Sequence, residues 1–170
     1  YVAIHRAELL EILRRNLTSP IHTGKKCTQV ADPNTPTVHF GDRTRITPRI
    51  VIGADGIDST VRDAVTRVSK RSLNTTVFRA VTSVSLAKHH QSTGFEVWGD
   101  GTYTGGAPIG NDRFYWFATA PTDLSETSSI TDLQAFFAEY PEPIPAIVDT
   151  LTPDEVITTG LSDLPAVDQW

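Results

Sequence analysis

The spacing of apolar and polar positions divides the chain into a helix-and-turn portion followed by a strand-rich portion. In residues 6–17, Leu9, Leu10, Leu13 and Leu17 recur at helical spacing with charges on the other face, predicting an amphipathic helix that Thr18-Ser19-Pro20 ends. Cys27–Ala31 and Thr37–Phe40 are predicted short strands, joined by Asp32-Pro33-Asn34-Thr35, a turn by composition. Gly41-Asp42-Arg43 forms a second turn, and Pro48 delays the next strand to residues 49–52. A short helix over Thr60–Val65 follows.

The pattern then changes. Residues 75–86 alternate and are rich in β-branched side chains, predicting a long strand. Phe95–Trp98, 102–109 and 113–120 are further strands, with Asn111-Asp112 at a hairpin tip. Residues 130–140 carry Leu133, Phe136, Phe137 and Tyr140 on one helical stripe. The prolines of 141–145 break it, a second helix covers 144–151, and 156–164 is a returning strand. The predicted class is therefore α/β, with α+β character in the second part and a boundary near residues 66–74. No internal repeat or low-complexity segment is present.

Composition narrows the functional classes. A length of 170 residues suits one domain or parts of two, and 39% hydrophobic with 21% charged residues is the balance of a soluble globular protein. The net charge of −5 argues against nucleic acid as a partner, because a phosphate-binding surface needs a basic excess. No apolar run is long enough to span a membrane, and residues 1–17 lack the form of a signal peptide. Cys27 is the single cysteine, which excludes an internal disulfide and a thiolate metal cluster and suits a cytoplasmic location. The five histidines (His5, His22, His39, His89, His90) have no metal-ligand spacing, and His89-His90 is expected in a solvated loop. Methionine is absent throughout and the first residue is the bulky Tyr1, so we expect an internal piece of a longer chain.

The densest chemical signal lies in residues 50–62, where Ile50-Val51-Ile52 runs into Gly53-Ala54-Asp55-Gly56-Ile57-Asp58-Ser59-Thr60-Val61-Arg62. A buried strand would stop here at a sheet edge, and Gly53 and Gly56 let backbone approach a ligand closely. Ser59 can cap a helix whose free N–H groups favour an anion; Asp55 can accept hydrogen bonds, and Arg62 adds a fixed positive charge. The same residues also suit an ordinary strand–turn–helix corner, and on their own they leave the two alternatives open.

Taken with Ile4-His5-Arg6-Ala7-Glu8-Leu9-Leu10, this corner resembles the single-component flavoprotein monooxygenases, FAD-dependent aromatic hydroxylases typified by para-hydroxybenzoate and salicylate hydroxylase. The likeness continues through Phe78-Arg79-Ala80, Arg113-Phe114-Tyr115-Trp116-Phe117 and Leu161-Ser162-Asp163-Leu164-Pro165, nearly the whole chain in the expected order. It implies part of a Rossmann-like FAD-binding domain over residues 1–70, a mixed-sheet substrate domain over 71–165, and a return toward the FAD-binding domain at 166–170. The family's Gly-x-Gly-x-x-Gly turn would precede Tyr1, and its Gly-Asp-Ala-Ala-His-type segment would follow Trp170.

The resemblance implies an enzyme in which NAD(P)H reduces FAD, O2 is captured as a flavin hydroperoxide, and one oxygen passes to a small aromatic or similarly electron-rich substrate. It implies cofactor contacts from Arg6, Cys27, Gly53, Asp55, Gly56 and Arg62. The alternative for Arg62 is that it only braces the corner through Asp55 or Asp58. Arg79 and Tyr115 match substrate-facing positions, the first suited to a carboxylate and the second to a phenol. No residue is singled out as catalytic, no metal is expected, and oligomeric state and substrate stay undefined. The other outcomes are a truncated, non-catalytic chain or binding module, and an epoxidase or reductase relative on the same scaffold.

Overall fold

The computed structural model describes residues 2–32, 34–66, 68–120, 124–125 and 127–167. Pro33 of the predicted turn and residues 168–170 of the expected return segment lie outside them. Two compact units result, one formed by residues 1–16 with 73–161 and the other by 17–72 with 162–170. Among the described residues no helix is long and apolar enough to cross a membrane.

The larger unit is built on a sheet of strand order β5-β6-β7-β4-β8, with β4 at Arg71–Thr82, β5 at Phe95–Trp98, β6 at Tyr103–Pro108, β7 at Phe114–Ala120 and β8 at Ile157–Asp163. The β5/β6, β6/β7 and β7/β4 pairs are antiparallel. The β6–β7 hairpin closes through Asn111 and Asp112, both in the left-handed region at φ 53° and 56°, as a two-residue turn between right-twisted strands requires. β4 begins and ends about four residues before the predicted 75–86. Its last partner is Phe114, opposite Thr82, where β7 runs out, so residues 83–86 have no strand to pair with.

Alternation along these strands separates two faces. On one, Phe78, Ala80, Phe114, Trp116 and Ala118 pack under α3 (Ile130–Phe137) and α4 (Ile144–Val148) with Leu133, Phe137, Ile144 and Ile147. Trp116 is wholly buried, edge-on to Phe137, with its indole N–H donating to Thr104 Oγ1 at 3.0 Å. A capping box fixes the start of α3: Ser129 Oγ accepts from the Asp132 N–H (3.2 Å) while the Asp132 carboxylate accepts from the Ser129 N–H (2.8 Å). The helix stops at Phe137 rather than 140, but Tyr140 still packs against Phe136 and Phe137.

Helix α1, Arg6–Arg15, belongs to this unit, and His5 Nδ1 caps it by accepting from the Ala7 N–H at 3.3 Å. An ion pair from Glu8 to Arg113 (2.5 Å) fastens it beside the hairpin tip. Its leucine stripe is not buried, Leu13 being 54% exposed. His90 is less solvated than expected: it ends a 3-10 turn, Lys88–His90, and its ring packs on Phe95 at 5.0 Å. Burial, and then the neighbouring His89, lower its pKa.

In the smaller unit β1 (Cys27–Ala31), β2 (Thr37–Phe40) and β3 (Arg45–Ile46) form an antiparallel sheet in that order, with α2 (Thr60–Val65) against β1. The turn before β2 closes by Thr35 N–H donating to Asp32 O (3.1 Å), and Arg43 at φ 69° turns β2 into β3. The β3 strand lacked a sequence signal. The predicted strand at 49–52 is corrected: no strand forms there, and Ile50 and Ile52 are 77% and 86% exposed. An apolar run becomes a buried strand only beside a neighbour that completes its hydrogen bonds, and the described residues supply none.

Candidate functional site

The glycine corner belongs to the smaller unit, where its polar groups largely satisfy one another. Asp55 accepts from the Ser59 hydroxyl and from the backbone N–H groups of Thr60 (2.7 Å) and Val61 (3.2 Å), the first residues of α2. Burial pushes the Asp55 carboxyl up, but the Ser59 hydroxyl and these N–H donors outweigh it and hold the group below its ordinary range. Ser59 caps α2 by accepting from the Arg62 N–H at 2.9 Å. Gly53 is required by packing: a Cβ there would lie 2.7 Å from Val61 Cβ. Gly56, at φ +84°, needs glycine for its backbone and borders open space.

Arg62 braces the corner, but through other partners than Asp55 or Asp58. Its Nη1 donates to the Ile57 carbonyl at 2.7 Å and its Nη2 pairs with Asp63 at 3.3 Å, while Asp58 pairs with Lys70 at 2.6 Å. Arg62 Nε is buried and is the one such side-chain atom without a hydrogen-bond partner among the described residues. Cys27 opens β1 at a bulge opposite Phe40, half-buried, with Sγ 3.8 Å from the Gln29 carbonyl.

Arg6, Arg79 and Tyr115 come together in the larger unit, on a cavity of about 1260 Å³. Its floor is the open face of the sheet. Register sets Glu96, Gly105, Phe117 and Arg79 in one row across four strands, with Ala107, Tyr115 and Val81 in the next row on the same side. Gly105 keeps this floor low, since a Cβ there would fall 2.3 Å from Phe95 O; Gly106 faces the covered side, where a Cβ would fall 2.2 Å from Tyr115 O and 2.3 Å from the Phe114 ring. The N-terminal segment before α1 also lines the cavity, bringing in Ile4 and Arg6.

Arg79 defines the electrostatics. Its Nη1 donates to Thr159 Oγ1 on β8 at 2.9 Å, and it has no carboxylate partner among the described residues. A half-buried guanidinium with unused donors, beside Phe117 and Tyr115, suits a planar acceptor or anion. The Tyr103 hydroxyl, in contrast, donates to Glu96, and that bond is the main cause that raises the Tyr103 pKa. Thr159 and Glu96 escaped sequence reasoning because only strand register brings them beside Arg79 and Tyr103.

The fold is that of FAD-binding monooxygenases. Klebsiella pneumoniae HpxO, solved with FAD and uric acid, matches with a TM-score of 0.74 and 22% identity over 94% of this chain and 43% of its own. Among curated proteins the chain is similar to the aurachin C monooxygenase/isomerase of Stigmatella aurantiaca, 29% identical over 99% of this chain and 45% of that protein. It is also 28% identical to the 3-amino-4-hydroxybenzoate 2-monooxygenase of Streptomyces cremeus, over 100% of this chain and 44% of that one. The chain thus spans a little under half the length of these curated relatives. No protein-family model matches it.

Proposed function

We propose that this chain forms part of an FAD-dependent, NAD(P)H-consuming monooxygenase that hydroxylates a small aromatic or similarly electron-rich molecule with O2. One observation carries the proposal beyond similarity: a largely apolar cavity on the open sheet face presents an Arg79 guanidinium with no carboxylate partner among the described residues, next to Tyr115 and Phe117. Residues 71–165 then serve as the substrate-binding portion, and the glycine corner in 1–70 as part of the cofactor-binding portion.

The residues present fit FAD. Arg62 Nε, buried without an acceptor, and the open backbone at Gly56 suit a phosphate- or hydroxyl-bearing group. The Arg6 guanidinium on the cavity rim offers further donors. In this assignment Gly56 and Arg62 of the smaller unit hold the cofactor, Asp55 and Gly53 keep that corner in shape and Cys27 contributes backbone; Arg6, in the larger unit, is assigned to the cofactor separately. Bound FAD supplies electron transfer from NAD(P)H and activation of O2. Arg79 draws in and orients an acceptor-bearing substrate, and the Tyr115 hydroxyl lies where it can hydrogen-bond a phenol. The apolar floor of Val81, Ala107 and Phe117 limits water at the reacting face.

The test is FAD retention and substrate-dependent NAD(P)H oxidation by the protein, with hydroxylated product measured separately from peroxide release. Arg6→Ala and Arg62→Ala are expected to lower bound flavin. Tyr115→Phe should keep flavin and lose hydroxylation or uncouple it. Unchanged flavin content in both arginine variants, with unchanged product in Tyr115→Phe, overturns the assignment.

A further inference from the structure

The open sheet face does not end at the cavity. The next row of the same face, beyond Glu96 and Phe117, is Trp98, Tyr103, Thr119 and Val77. Trp98 is 80% exposed, although tryptophan carries the largest apolar surface of any side chain. Its ring meets Tyr103 edge-on at 5.5 Å, Tyr103 lies 5.1 Å from Phe117, and Phe117 is 6.2 Å from Tyr115. An unbroken aromatic strip therefore runs diagonally from the cavity floor out to Trp98.

We infer that this strip is an extended subsite for the apolar tail or second ring of an elongated substrate whose acceptor-bearing end lies at Arg79. The inference rests on the proposed function and specifies its substrate class. Two features favour this occupant. The strip is continuous with the cavity through Phe117 and Tyr115, so one molecule can touch both. Along the aromatic strip itself the flanking charged groups among the described residues are Arg79 at one end and Glu96 at its side, while Arg6 and Glu155 stand on the cavity away from Trp98. Arg79 and Trp98 stand three strands and one row apart, about 16 Å at the usual interstrand spacing and rise per residue, which sets the reach of the ligand.

The test uses a homologous series of probes, benzoate and 4-alkylbenzoates from methyl to octyl, with affinity measured by calorimetry. In the wild-type protein, Kd should fall about fourfold per methylene until the chain reaches Trp98 and then level off. Trp98→Ala should leave benzoate binding unchanged and flatten the upper half of the series; Trp98→Phe should restore most of it and so separates loss of contact from loss of folding. Arg79→Met should weaken every member of the series equally. A wild-type series that is flat beyond propyl, while benzoate still binds, overturns the subsite and leaves the cavity assignment standing. Failure of all members to bind overturns both. A Trp98→Ala protein that keeps the length dependence but changes mass in sedimentation assigns Trp98 to contact between copies and overturns the subsite.

Discussion

The two faces of the five-stranded sheet are made from alternate residues of the same strands, yet they have opposite fates. In β7, Phe114, Trp116 and Ala118 are buried beneath α3 and α4, while their neighbours Tyr115, Phe117 and Thr119 are half-exposed on the other side. The covered face is apolar and close-packed, with its single indole N–H satisfied by Thr104. The open face carries Arg79 and two phenols. A one-residue step along a strand therefore separates a side chain that holds the fold from one free to meet a ligand, and substitutions at adjacent positions should divide in the same way.

The largest effect is expected on the covered face. Trp116→Ala removes a fully buried ring and should cost about 3–5 kcal/mol, seen as a lower denaturant midpoint. A loss as small as that of a surface substitution would erase the distinction between the faces. Gly106→Ala comes next. Its new Cβ would fall 2.2 Å from a backbone oxygen, and separating β6 from β7 should cost about 1–3 kcal/mol.

Asp55→Ala removes the acceptor for two N–H groups at the start of α2 and should cost about 1 kcal/mol, as loss of a helix cap does. Because the Asp55 carboxyl is held below its ordinary value, the folded state binds this proton more weakly than the unfolded chain does. Its stabilisation is therefore complete above about pH 4 and fades as pH falls through the folded-state value. The pH slopes of stability in the wild type and in Asp55→Asn should differ only in that window. The smallest stability change belongs to the open face: Tyr115→Phe should shift unfolding by less than about 0.5 kcal/mol. A larger loss would return Tyr115 to the core.

Local pattern located the elements that need only local causes. Cys27–Ala31, Thr37–Phe40, Thr60–Val65 and Phe95–Trp98 form with the predicted bounds, and Asn111-Asp112 is the hairpin tip. What depended on distant partners was not legible. Residues 49–52 have strand composition but no neighbouring strand, and β4 stops where β7 does. The leucine spacing of α1 foretold a helix but not the exposure of that stripe, since periodicity fixes which side chains share a face and not what covers them. At the candidate site, sequence pointed to Arg79 and Tyr115. Their company of Glu96 and Thr159 is a product of register, which no single segment encodes.

The clasp between Glu8 and Arg113 also bears on the order of events as the chain is made. Helix α1 leaves the ribosome before the hairpin that receives it, which follows some 105 positions later. At about 5–20 residues per second, Glu8 waits roughly 5–20 s for Arg113. Through that interval α1 is held by its own backbone ladder, the His5 cap and the Glu11 pairs with Arg14 and Arg15.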